Sequence, residues 1–156
     1  MKYADKTSVS VEKSKGEIEA TLIRYGASQF ISGWTNNEAK IGFEMHGRRI
    51  MFTLPLPSLN DREFTHTPGR NYRRDSADQQ KAWEQACRQR WRALALAIKA
   101  KLEAVETGIT TFEHEFLSHF VVPGTKGQTV GDIMIPQLDV AYKEGRPLPP
   151  LLGHHG

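Results

Sequence analysis

A chain of 156 residues, 38% hydrophobic and 25% charged, is long enough to bury one core, lies far from the composition of disordered chains, and leaves little for a second domain. Its one cysteine, Cys87, excludes an intrachain disulfide and any paired-cysteine zinc or redox motif. No apolar run approaches the roughly 20 residues that cross a bilayer. The net charge of +3 hides a segregation: residues 1–47 carry 6 basic and 6 acidic side chains, residues 48–101 carry 12 and 5, and residues 102–156 carry 3 and 7.

In chain order, residues 7–12 alternate β-branched and polar side chains and read as a short strand. Ser14 followed by Glu17 has capping-box spacing, and Ile18, Leu22 and Tyr25 recur at helical intervals, so a helix is expected over about 15–25, ended by Gly26. Three strand-like segments follow at 29–35, 38–46 and 48–54. Asn36-Asn37 and Gly47 suit tight hairpins between them. Ala39, Ile41, Phe43 and Met45 alternate with polar or small neighbours, as do Ile50, Phe52 and Leu54, which assigns one sheet face to the core. Pro55 and Pro57 close the third strand.

Residues 59–74 show no sustained periodicity and read as a long loop carrying Arg62, Arg70, Arg73 and Arg74; loops of that length are usually functional or disordered. Ser76 to Gln79 again has capping-box spacing, and the strong helix formers that follow predict one long helix over 76–106. Thr110 followed by Glu113 has capping-box spacing once more, and a shorter helix is expected from there to about Ser118. A hairpin or irregular turn follows around Pro123-Gly124, and a last helix over 130–143, kinked or restarted at Pro136. The expected architecture is therefore one α+β domain over 1–146: an N-terminal helix and a three-stranded antiparallel meander packed on one long amphipathic helix, in αβββα order, plus two shorter C-terminal helices. Residues 147–156 form a proline-rich tail, and His154 and His155 within it are left out of the chemistry. The N-terminal residues lack the apolar centre of a signal peptide, so a cytoplasmic location is expected, with no membrane partner.

On the wheel of the long helix, Trp83, Cys87, Trp91, Leu94, Ile98, Leu102 and Val105 fall within about 100°, the width of a core-facing stripe. Lys81, Arg88, Arg92 and Lys99 fall within about 40° of one another, roughly 110° from the apolar centre. A solvated surface is the plain reading of such a stripe. Only one acid, Glu84, lies between Gln79 and Leu102, so these cations lack acidic partners on their own helix. An unpaired, focused positive surface is the footprint of phosphate binding. The expectation is a non-enzymatic nucleic-acid-binding protein favouring single-stranded DNA. Lys81, Arg88, Arg92, Lys99 and Arg48 would contact it, with the Arg62, Arg70, Arg73 and Arg74 loop closing over the strand. Trp34, at a strand end beside a turn, is the candidate stacking residue, while Trp83 and Trp91 belong to the apolar stripe.

Glu113, His114, Glu115 and His119 form the one dense carboxylate and histidine cluster, but the histidines stand five apart and diverge by about 140°, unlike the i, i+4 pair of a zinc-hydrolase helix. Glu113, Glu115 and Asp132 would be the ligands of a metal-dependent nuclease, and nothing in their spacing makes them converge. No phosphate loop, nucleophile elbow, cofactor motif or metal motif is present, so an enzyme is not expected. The alternative function is a protein-interaction module, because segregated charge suits steering toward a partner protein, or self-association into a homo-oligomer.

The αβββα order is similar to that of double-stranded-RNA-binding domains, without their Gly-Pro-x-His loop or lysine-rich second helix. Residues 17–27 (with Glu17, Leu22, Arg24 and Gly26), 49–57 (with Phe52, Pro55 and Pro57), 82–96 (with Trp83, Cys87, Arg88 and Trp91) and 98–105 resemble an uncharacterised family of phages and prophages, over about residues 9–145. The resemblance implies a phage setting, in which small proteins serve replication, recombination or interference with host defence. It brings no site residues.

Overall fold

A computed structural model describes residues 6–148. In chain order the elements are α1 (Val11–Arg24), β1 (Gln29–Trp34), β2 (Glu38–Met45), β3 (Arg48–Pro55), α2 (Arg62–Thr65), α3 (Ser76–Glu106), α4 (Phe112–Phe116), a 3-10 turn (Leu117–His119) and α5 (Val130–Glu144). This is the expected α+β order. The strands form one antiparallel sheet in the order β1-β2-β3. None of the described helices is long and apolar enough to cross a membrane. The tail from residue 149, with His154 and His155, lies outside the described residues.

The register sets Ile41 opposite Phe52 and Phe43 opposite Ile50, so four large side chains meet on one face. That face buries against α1, through Ile18 and Leu22, and against α3, through Trp91, Leu94, Ile98 and Leu102. The β2–β3 connection is a two-residue hairpin with His46 at φ 51° and Gly47 at φ 72°, the left-handed pair that matches the strands' twist. Beyond β3, Phe120 bridges Ile50, and Val121 N–H donates to the Arg49 carbonyl at 2.8 Å. The edge of β3 is thereby covered in part. Phe112, Phe116 and Phe120 join the core from that side.

Several local expectations are corrected. Residues 7–10 form no strand; they lead into α1, whose N-cap is Ser10, accepting from Lys13 N–H. Ser14 therefore lies one turn inside the helix. Asp75 rather than Ser76 caps α3, accepting from Asp78 N–H at 2.8 Å, and Thr111 rather than Thr110 caps α4. In each case two capping residues compete, and the one whose oxygen reaches the third helical N–H prevails. The 59–74 segment is built rather than open. It holds α2, buries Phe64, and makes a small hairpin in which His66 bridges Arg73 and Thr67 N–H donates to the Tyr72 carbonyl. The last helix runs through Pro136 without restarting.

At about 1.5 Å per residue, the 31 residues of α3 span on the order of 46 Å, against roughly 27 Å for an eight-residue strand. The main core takes α3 from Trp91 to Leu102. Its first half thus extends past the sheet, where the start of α1, the β1–β2 turn and the segment after β3 surround it.

Candidate functional site

The overhang of α3 creates a groove of about 580 Å³ bounded by α1, the β1–β2 turn, Leu56 and α3. All three tryptophans of the chain line it: Trp34, Trp83 and Trp91. Each is held differently. Trp34 ends β1 and is 73% exposed. Trp83 is half-buried, and its indole N–H donates to the Pro57 carbonyl at 2.8 Å. Trp91 is 3% exposed, with the Lys15 ammonium 4.8 Å from its ring centroid, within range of a cation–π attraction. Thus Trp91 is core, as its place on the apolar stripe implies, and Trp83 is shared between core and groove.

Charged side chains rim the groove in balanced numbers: Lys15 and Arg88, Glu12 and Glu84. Cys87 also lines it, and burial pushes its thiol above the ordinary value, with Arg90 and Arg88 pulling the other way. A thiol kept protonated is a weak nucleophile.

The four-cation stripe is divided by the fold. Arg92 forms an ion pair with Glu17 of α1, and Arg88 donates from Nε and Nη2 to Gln85 Oε1 at 3.0 and 2.6 Å. The acid missing from α3 itself is supplied by the neighbouring helix. Lys81 and Lys99 are exposed, without an acidic partner among the described residues. Arg48 stands at the β2–β3 end of the sheet, 3.5 Å from Glu113 and over the Phe120 ring. Trp34 belongs to the opposite end, so the two are not brought together.

The arginine segment leaves from the groove's wall. Gln79 and Trp83 of α3 donate to the carbonyls of Leu59 and Pro57. At 100° per residue, Arg88 lies about 140° and Arg92 about 180° around α3 from Trp83, with Cys87 and Trp91 between. The segment bearing Arg62, Arg70, Arg73 and Arg74 thus departs from the Trp83 side, but none of these arginines lines the groove; of the four α3 cations only Arg88 does, on the other side. Arg62, Arg70 and Arg73 are exposed and Arg74 is half-buried.

The carboxylate and histidine cluster is dispersed. Glu115 accepts from Lys101 at 3.2 Å, His114 Nδ1 meets Thr111 Oγ1 at 3.1 Å, and His119 stacks on Phe52. Among the described residues no three His, Cys, Asp or Glu side chains converge as a metal site. Lys15, Glu12 and Leu56 were not candidates from sequence, because nothing local marks them. One signal was available: the stacking candidate and the two tryptophans of α3 are all the tryptophan the chain has. No family model, curated protein or solved structure matches this chain.

Proposed function

We propose that this chain is a non-enzymatic nucleic-acid-binding protein that takes single-stranded DNA along the tryptophan groove, in the replication or recombination of phage DNA. The observation that carries this reading is the gathering of Trp34, Trp83 and Trp91 in one open groove with Lys15 and Arg88 at its rim. Aromatic side chains stack on any base, and cations beside them track the phosphates. Trp34 is the stacking platform. Arg88, Lys15 and Lys81 take phosphates on one side, and Arg62, Arg70 and Arg73 on the other. Arg92 serves mainly to hold α1 against α3.

The test is a tryptophan-fluorescence titration with single-stranded DNA, duplex DNA and RNA at two salt concentrations. Single-stranded DNA should quench the signal, with affinity falling on a log–log slope of about −0.7 per phosphate neutralised. Trp34→Ala should weaken binding by about 1–3 kcal/mol, the range for a stacked base. No binding to any of the three at low salt would overturn the reading.

A second reading is favoured by one feature: Glu12 and Glu84 offset Lys15 and Arg88 at the groove. A nearly neutral, indole-lined groove suits an apolar side chain of a partner protein, such as a host or phage enzyme of DNA metabolism or defence. Under that reading the titration is silent with every nucleic acid.

A further inference from the structure

The last helix is attached to the domain chiefly at its start. α5 packs on the 3-10 turn, where Gly131 comes so close that a Cβ in its place would lie 2.9 Å from the Ser118 carbonyl oxygen. Past that first turn most of the large apolar side chains are exposed, Met134 being half-buried. Ile135 is 56% exposed, Leu138 42% and Tyr142 82%, and Leu117 at the base of the helix is 51% exposed. At 100° per residue, Ile135, Leu138 and Tyr142 fall within about 60° and form one stripe, while Val140, 44% exposed, stands about 140–160° from them on the far side. Fifteen residues are near the length at which an isolated helix is marginal in water, and Pro136 removes one of its internal hydrogen bonds. A contiguous exposed stripe on such a helix marks an interaction surface.

We propose that a second copy of this chain covers the stripe, with the two α5 helices antiparallel about a twofold axis near Leu138. In that arrangement Ile135 of each copy meets Tyr142 of the other, and the two Leu138 side chains meet at the axis. The charges select this orientation. Asp132, Asp139 and Lys143 lie on one flank of the stripe, within about 40° of one another. Like flanks face each other in an antiparallel pair, so Asp132 of one copy lies near Lys143 of the other, twice, while Lys143 also stands one turn from Asp139. A parallel pair would set this charged flank against the partner's opposite flank, which carries Met134 and Ala141, and would form no such charge pairs. Opposed helix dipoles favour the same choice. A contact made by Ile135, Leu138 and Tyr142 of each copy, with Leu117 at its margin, is small and belongs to the weak, reversible end of specific interfaces.

Sedimentation equilibrium of the full chain across micromolar to millimolar concentrations tests this. A reversible monomer–dimer equilibrium is expected, shifted to monomer by Leu138→Asp with an unchanged circular dichroism spectrum. If that variant fails to fold, Tyr142→Glu, at a more exposed position, serves instead. Orientation is read by mixing Ile135→Cys and Tyr142→Cys proteins, which should form mixed disulfides faster than either forms with itself. A monomer at every concentration overturns the proposal, as does a dimer indifferent to both stripe variants or a preference for self-linked cysteine pairs.

Discussion

Ser14 is fully buried within α1, and its hydroxyl has no hydrogen-bond partner. Its amide donates to the Ser10 carbonyl, as any helical residue's would. A buried unsatisfied hydroxyl costs about 1–3 kcal/mol, and alanine is also the better helix former. Ser14→Ala should therefore stabilise the domain by about 1 kcal/mol, seen as a higher urea midpoint at unchanged slope. A lower midpoint would show that the hydroxyl is satisfied after all. The same residue explains two errors of sequence reading with one cause. Its spacing to Glu17 matches a capping box, which assigns that carboxylate to a helix end and leaves Arg92 unpaired. The helix instead begins at Val11, and Glu17 reaches across to Arg92. Which acid pairs with a cation depends on helices brought together by the core, and spacing along one helix carries no record of it.

α3 was legible to its ends because 31 residues of strong helix formers with one apolar stripe repeat a single signal many times. The β2–β3 hairpin was legible because left-handed backbone at His46 and Gly47 has few solutions. The segment around α2 was not, since its order comes from single contacts, such as buried Phe64 and the Gln79 bond to Leu59, that follow no period. The groove was half legible: Trp34 stood out, but its walls come from three distant stretches of chain. The 3-10 turn is an element of the same unperiodic kind, and it makes a testable contribution to stability. The His119 ring stacks on Phe52 at 3.9 Å between centroids. Burial holds its pKa below 6.5, Lys101 adds to this, and a hydrogen bond with the Met51 backbone opposes it. The unfolded chain takes up this proton near pH 6.5 and the folded chain only at lower pH. The stability from neutral His119 is thus complete above about 6.5 and is lost as pH falls through the folded value. Thermal melts should show a decline on acidification below about 6.5 that is shallower in His119→Phe. Parallel pH profiles for the two proteins would exclude the histidine.

Across the whole molecule, the two proposed surfaces lie toward opposite ends of the sheet. Trp34 pairs with Ala39, which pairs with Leu54, at the β1–β2 end. The attachment of α5 runs through the 3-10 turn and the bridge of Phe120 to Ile50, beyond which Phe112 meets His46 at the β2–β3 turn. Pairing two copies through α5, which shares no residue with the groove, would therefore leave both grooves uncovered. A strand short enough to occupy one groove would gain nothing from the pair. A strand long enough to reach both would bind the second groove at an effective concentration set by the nucleotides between them, which raises overall affinity without any new contact. Leu138→Asp should accordingly leave affinity for a short oligonucleotide unchanged and weaken binding to a long one by roughly 10²-fold or more, the lower range for a bivalent gain. Trp34→Ala should weaken both. Equal losses with short and long strands in Leu138→Asp would mean that α5 supports the groove itself, and no loss with either would separate self-association from nucleic-acid binding.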